Sequence, residues 1–248
     1  MGGWRWGVLW MLLGASALQA APAIAAEQAL PAQIRLASDV WEGHTERDGT
    51  GLAWDILRRV FEPAGVAVQI QSVPYTRSIG LVQRGEADAW VGSYRDEVSE
   101  HVIYPRWHYD ADQISVLGLA SQPVPTLETL GRWRLVWVRG YEYQHYLPNL
   151  LRFREIQRRS GILPMLAQGH VDFYVDARTE VEQVLREAAD PTLFRITDVQ
   201  RLPLFLGFAD NPQGRALAAL FDRRMEVLVK NASLRPLFAH WQQPYPFD

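Results

Sequence analysis

Hydrophobic residues recur along this chain in two alternating rhythms, one of helices and one of short strands. Leu52, Ile56, Leu57, Val60 and Phe61 fall on one helical face, with Asp55, Arg58 and Arg59 opposite, and Pro63 and Gly65 end the run. Before it, residues 34–37 predict a strand that ends at Ser38-Asp39; after it, residues 66–73 alternate as a second strand. Pro74-Tyr75 opens the next helix. Two later stretches then share one pattern: LVQRGEADAWVGS at 81–93 and MLAQGHVDFYVDA at 165–177. Each has an apolar pair, a glycine (Gly85; Gly169), an aspartate three residues on (Asp88; Asp172) and an apolar run. A glycine past the last helical turn closes the helix in the left-handed conformation, and the following run has the content of a buried parallel strand. Each copy therefore reads as the second half of a βαβ unit, which predicts two α/β lobes.

The remaining pattern fills in around these copies. A strand is expected over 112–120, then a proline-punctuated link at 122–125, a short helix to Leu130 and a strand over 135–138 ending at Arg139-Gly140. Residues 143–159 predict a helix broken near Pro148, residues 179–188 an acidic-faced helix, and residues 205–208 a strand. Leu217, Leu220, Phe221, Met225, Leu228 and Val229 form one apolar stripe, and Ser233 is expected to cap the last helix before Trp241.

Composition changes the picture chiefly at the amino terminus. The chain of 248 residues is 48% hydrophobic and 21% charged, which suits a folded globular protein and not a disordered one. Residues 1–26 differ: Arg5, an apolar core over 8–13 and 15–18, and the small-residue pattern Ala23-Ile24-Ala25 read as a cleaved secretory signal peptide, hence a periplasmic address. No later segment has the roughly 18 consecutive apolar residues of a membrane helix. There is no cysteine, so no disulfide, thiol nucleophile or thiolate metal site. The formal net charge of −3 without a Lys/Arg block argues against nucleic acid as a partner. His44, His101, His108, His145, His170 and His240 have no metal-ligand spacing, and no cofactor or nucleophile motif is present.

Two charged positions stand out from the residues themselves. Asp39 ends the first strand, where a carboxylate either faces an amine or orients a turn. Arg77 sits in the first turn of its helix, where the dipole does not favour a cation.

The order of these segments resembles the family 3 periplasmic solute-binding proteins over about residues 33–242. Ser38-Asp39, the helix start at Gly51-Leu52-Ala53-Trp54-Asp55 and LVQRGEADAWVGS are similar to the family's first lobe. VRGYEY with QGHVDFYVDA is similar to its second lobe, and LFLGFADNP through FAHW to its return strand and closing helices. The resemblance implies a two-lobed, type II architecture, each lobe a mostly parallel sheet flanked by helices, joined by two crossing strands near Asp112-Gln113 and 203–205. It implies lobe 1 over 27–111 and 207–248, lobe 2 over 112–206, and a monomer that closes on a ligand by hinge motion. The strand ends Gly92-Ser93-Tyr94 and Asp176-Ala177-Arg178 would meet at the cleft, since open α/β sheets bind ligands at the carboxyl ends of their strands.

The resemblance also implies site roles. Trp41 and Tyr75 match positions of aromatic walls, Gly140 one where a backbone N–H approaches the ligand, and Asp176 the carboxylate that takes an α-amino group. The family's carboxylate-binding arginine has no counterpart in register, because that position holds Glu100. Arg95 is the nearby substitute, with Arg77; the alternative is a cationic ligand such as a polyamine. The implied function is capture of a small polar solute, an amino acid or related compound, for ABC-type uptake. A sensing module for a signalling partner, and an enzyme similar to the cyclohexadienyl dehydratases with Glu142 or Asp176 as general acid, are the alternatives.

Overall fold

The computed structural model describes residues 1–3 and 30–248, so most of the segment read as a signal peptide lies outside the described residues. The first half is built from β1 (Gln33–Ser38), α1 (Leu52–Phe61), β2 (Ala67–Ser72), α2 (Tyr75–Gln83), β3 (Ala89–Ser93) and the short β4 (Val102–Ile103). β1 pairs in parallel with β2 on one side and β3 on the other. The second half repeats that plan with β5 (Asp110–Leu119), β6 (Leu135–Val138), β7 (Phe153–Ile156), α3 (Ile162–Ala167), β8 (Phe173–Ala177) and α4 (Arg178–Arg186). Here β6 is the central strand, parallel to β7 and β8. β9 (Phe194–Ala209) returns across both halves, and α5 (Pro212–Lys230) and α6 (Arg235–His240) close the chain on the first half.

The strand order is β2-β1-β3-β9-β5-β8-β6-β7, with β4 also on β9. Two parallel triplets therefore flank an antiparallel pair, β9 and β5. The helical stripe read at 52–61 is the buried face of α1: Leu52, Ile56, Leu57, Val60 and Phe61 have no exposed surface, and Phe61 packs on Phe221 of α5 at a ring distance of 6.2 Å. No described helix is long and apolar enough to cross a membrane.

The duplicated pattern has one physical content in both copies. Gly85 and Gly169 close their helices at φ 72° and 68°. The aspartate three residues on then grips an arginine of the neighbouring strand or its approach. Asp88 accepts from Arg35 N at 2.7 Å, Nε at 3.2 Å and Nη2 at 2.8 Å; Asp172 accepts from Arg134 N at 2.8 Å, Nε at 3.0 Å and Nη2 at 2.6 Å. In return Asp88 N donates to Arg35 O and Asp172 N to Arg134 O. Each staple fixes the register at which helix and strand join the sheet.

Several expected elements differ. The helix expected over 143–159 is absent: a 3-10 turn at Tyr143–His145 is followed by β7, an edge strand parallel to β6. The short helix before Leu130 is a turn and one 3-10 turn, Leu130–Arg132. The strand read at 205–208 lies in the buried end of β9, whose residues 194–201 are half-buried or exposed. Ser233 does not cap α6, which starts after Leu234; its hydroxyl reaches Asn231 Oδ1 instead.

The two staples differ in exposure, which orders their contributions. Asp88 is 3% exposed and also accepts from Gln213 Nε2 at 2.9 Å, whereas Asp172 is 11% exposed. We expect Asp88→Ala to cost about 2 kcal/mol and Asp172→Ala about 1 kcal/mol of stability, because a less hydrated acceptor leaves more of its donors unsatisfied. Urea unfolding of both variants measures this, and equal losses would contradict the ordering.

Candidate functional site

A cavity lies where the carboxyl ends of β1 and β3 face the amino end of α4, with β5 and β9 behind. It offers about 50 Å³ to the centres of water molecules, room for a few waters. Its walls are a continuous file of aromatic rings from both halves. Trp41 lies 5.8 Å from Tyr75, Tyr75 5.9 Å from Tyr141, Tyr141 5.9 Å from Tyr143, and Tyr143 6.1 Å from Tyr94. The Trp41 and Tyr75 rings come from the first half and Tyr141 and Tyr143 from the loop after β6, so the file crosses between halves and returns.

Local structure explains why these rings stand there. Gly92 has φ 89°, and a Cβ on it would sit 2.6 Å from the Trp41 ring, so only glycine lets the indole lie on β3. Asp39 ties the end of β1 to the start of α2: Oδ1 accepts from Val40 N at 2.8 Å and Oδ2 from Tyr75 N at 3.1 Å. Asp39 thus caps α2 and sets Tyr75, and is not among the lining residues. The loop after β1 in turn caps α1, where Leu52 N and Ala53 N donate to the carbonyls of Gly43 and His44, placing His44 at the cavity.

The floor is acidic. Glu97 Oε2 accepts from Tyr75 Oη at 2.6 Å, Ser93 Oγ at 2.9 Å and Tyr94 N at 3.2 Å. Asp112 Oδ2 accepts from Tyr94 Oη at 2.9 Å. Asp176 is 1% exposed and accepts from Tyr143 Oη at 3.3 Å, from the Tyr174 hydroxyl, from Ala177 N and from Arg159. Arg159 Nη2 lies 3.0 Å from both Asp176 and Glu180, and 3.0 Å from the Tyr141 hydroxyl. Asp110 lies 3.8 Å from His44 Nε2.

Burial dominates the ionisation of this group. It raises the Glu97 carboxyl to about 7 despite the donors from Tyr75 and Ser93. Glu180 also rises to about 7, with Arg159 opposing, and Asp110 to about 7, with His44 opposing. Asp112 rises to about 6, held back by His44 and Tyr94. Burial works against the Arg159 charge, but Asp176 and Glu180 outweigh it and its pKa is raised.

The sequence-derived candidates divide into two groups. Trp41, Tyr75, Tyr94 and Asp176 line the cavity, and Ser93 braces Glu97 just behind it. Arg77 and Arg95 are exposed and absent from the lining. Arg95 Nη2 donates to the carbonyls of Pro105 at 2.9 Å and Arg106 at 3.1 Å, and its guanidinium stacks over Phe205 at 4.2 Å. Gly140, at φ 90°, takes part in the contact between halves instead: a Cβ there would lie 3.1 Å from Thr76 Cγ2, and its N–H donates to Glu155 at 3.3 Å. Glu142 lies outside the lining. Glu97, Asp110, Asp112, Arg159 and Glu180 were not singled out in the sequence. Asp110 and Asp112 left one signal, a pair of carboxylates two residues apart at the start of a strand that turns apolar after Gln113 apart from Ser115.

No family model and no curated protein matches the chain. Solved structures do. The substrate-binding protein of an amino acid ABC transporter superposes with a TM-score of 0.64 at 17% identity, over 84% of this chain and 98% of that one. A histidine kinase sensor domain with similarity to periplasmic binding proteins gives 0.66 at 17% over 84% and 95%. The arginine-, lysine- and histidine-binding protein of Geobacillus stearothermophilus gives 0.67 at 13% over 84% and 94%. The chain has the type II periplasmic-binding-protein fold. In this periplasmic-binding-protein fold the cavity occupies the ends of the parallel strands, where doubly wound sheets hold ligands. Among the described residues no group of His, Asp and Glu converges to hold a metal ion.

The raised carboxyls fix the sign of the pH dependence of the empty protein. Glu97, Asp110 and Glu180 at about 7 and Asp112 at about 6 bind protons in the folded state that the unfolded chain has already released above about pH 4. Their contribution to stability is therefore full below about pH 4 and is lost as pH rises through 6 to 7. We expect the ligand-free unfolding midpoint to fall between pH 5 and pH 7.5, and Asp112→Asn to flatten that slope; a midpoint that rises over this interval would contradict the assignment.

Proposed function

We propose that this chain is an exported, monomeric solute-binding clamp, with lobes at 27–111 plus 207–248 and at 112–206, that captures a small polar solute in the cleft for ABC-type uptake. The observation that carries the reading is the aromatic file that crosses from one half to the other around the cavity. Such a wall is complete only when both halves are together. Contacts beside the cavity have the same character: Arg186 Nη2 of α4 reaches Glu42 Oε2 at 2.6 Å, and Thr76 abuts Gly140. That ion pair is exposed and contributes at most about 1 kcal/mol, a latch weak enough to open.

The fold neighbours support solute binding, since their names describe an amino acid transporter's binding protein and a binder of arginine, lysine and histidine. A sensor domain of a histidine kinase superposes equally well, so handing the closed form to a signalling partner is the second reading. General-acid chemistry has less support. Every hydrogen bond of Asp176 is one it accepts, and Glu142 stands outside the cavity.

Binding should show as both stability and compaction. A solute at 100 times its Kd adds about 2.7 kcal/mol, which a thermal-shift screen over amino acids, amines, organic acids and sugars detects. Small-angle scattering on the responding compound should show the population with separated lobes disappear. A screen in which no compound moves the midpoint would remove the clamp reading.

A further inference from the structure

The charges around the cavity are unbalanced in a way that defines the solute. Glu97, Asp112 and Glu180 line it, and each has one oxygen with no protein partner among the described residues: Glu97 Oε1, Asp112 Oδ1 and Glu180 Oε1. Glu180 is only 4% exposed and lines the cavity. Asp176 adds a fourth carboxylate.

Opposing charge is scarce. The lining contains no arginine or lysine. Arg159 stands behind the wall, spent on Asp176, Glu180 and Tyr141. His44, the one lining residue that can carry positive charge, has Nδ1 3.1 Å from the Glu42 carbonyl and Nε2 3.8 Å from Asp110. Arg77 and Arg95, the candidates for a carboxylate fork, are both absent from the lining. A ligand carboxylate would enter among like charges with no guanidinium to meet it. A cation would meet unpaired acceptors, and the ring faces of the aromatic file attract positive charge as well.

Resting on the clamp reading, we propose that the solute is a small organic cation without a carboxylate, a primary amine or guanidine, whose N–H groups are taken by Glu97, Asp112 and Glu180 while the aromatic file encloses its carbon body.

Proton release follows from the same geometry. The groups that face this floor are His44 in the loop after β1, Glu97 after β3, Asp110 and Asp112 on β5, Glu142 after β6, Arg159 before α3, Asp176 on β8, Glu180 on α4 and Arg201 on β9. Empty, the raised carboxyls hold protons near neutrality. A bound cation favours their charged forms and drives those protons off, so affinity rises with pH between about 5.5 and 7.5.

The test is calorimetric titration of the purified protein with matched pairs that differ by one carboxylate: agmatine and arginine, 1,4-diaminobutane and ornithine, histamine and histidine, tyramine and tyrosine. We expect at least one amine to bind ten times or more tighter than its amino acid, with protons released at pH 6.5 in buffers of different ionisation enthalpy. Asp112→Asn and Glu97→Gln should each weaken that amine about ten- to hundredfold, with a ligand-free midpoint no lower than that of the parent, since each removes a desolvated charge. An amino acid that outcompetes its amine, a neutral or anionic solute that binds in place of all the amines, or unchanged amine affinity in both variants would overturn the cation assignment while leaving the clamp intact. Silence across the matched pairs and the wider screen would remove the clamp reading and the cation assignment together.

Discussion

Antiparallel pairing of β5 with β9, from Asp110 opposite Leu204 to Leu119 opposite Phe194, is the constraint on which both halves depend. β3 and β4 attach to the carboxyl end of β9, and β8 attaches to β5, so within the sheet the two parallel triplets are joined through this ribbon. The register shifts between Ile114, opposite Gln200, and Ser115, opposite Asp198, leaving Val199 as an extra residue. A bulge of this kind bends its strand and increases local twist. The bulge lies at the first β5 residues that also pair with β8, Ile114 opposite Ala177 and Ser115 opposite Asp176, just inside the second half. Because strand residues alternate faces, Asp110 and Asp112 fall on the same side of β5. The ribbon therefore joins the halves and also carries two acids, Asp110 buried and Asp112 half-buried.

The parts of the fold that were legible in the sequence are those that physics writes locally. The α1 stripe is visible because a helix facing a sheet must bury one face over three turns, and the residues from Leu52 to Phe61 do so. The repeated Gly-x-x-Asp was visible as a pattern, but its cause was not. The partners Arg35 and Arg134 lie far upstream of their aspartates, and nothing in the spacing announces the staple. β7 was missed because Phe153-Arg-Glu-Ile is a four-residue edge strand with two charges, which local preference does not separate from a helix surface. It becomes a strand because β6 offers it a free edge, just as β1 offers one to β2.

The site was legible on its walls and illegible on its floor. Trp41, Tyr75 and Tyr94 sit at strand or helix ends, where sequence order predicts a cleft. Glu97, Asp112 and Glu180 gain their importance from convergence: they are ordinary surface-type residues in sequence, and only the meeting of a loop, a crossing strand and a helix start buries them together. Arg77 and Arg95 were attractive in sequence because a carboxylate ligand needs a guanidinium. The Arg95 side chain instead spends its charge on the carbonyls of Pro105 and Arg106 and on the face of Phe205, a buttress for the chain that enters the ribbon.

The walls and the floor are one mechanical unit, and this explains why a fold would keep so many buried acids. Three of the carboxylates each hold a tyrosine of the wall by its hydroxyl: Glu97 holds Tyr75, Asp112 holds Tyr94, and Asp176 holds Tyr143, with Tyr174 behind it. A hydroxyl has one proton to give, so Glu97 Oε1 and Asp112 Oδ1 keep no protein partner among the described residues. The bond also fixes the ring about its free torsion, so an aromatic surface stands ready without reordering when a solute arrives. The cost is desolvated charge, which the empty protein meets by taking up protons at Glu97, Asp110, Asp112 and Glu180. Replacing the acids by apolar residues would remove that cost but leave the hydroxyls of Tyr75, Tyr94 and Tyr143 and the Arg159 charge without their acceptors, so the walls would loosen with no gain in stability. The acids therefore cost desolvation and supply two features at one cavity, rigid walls and acceptors without a protein partner.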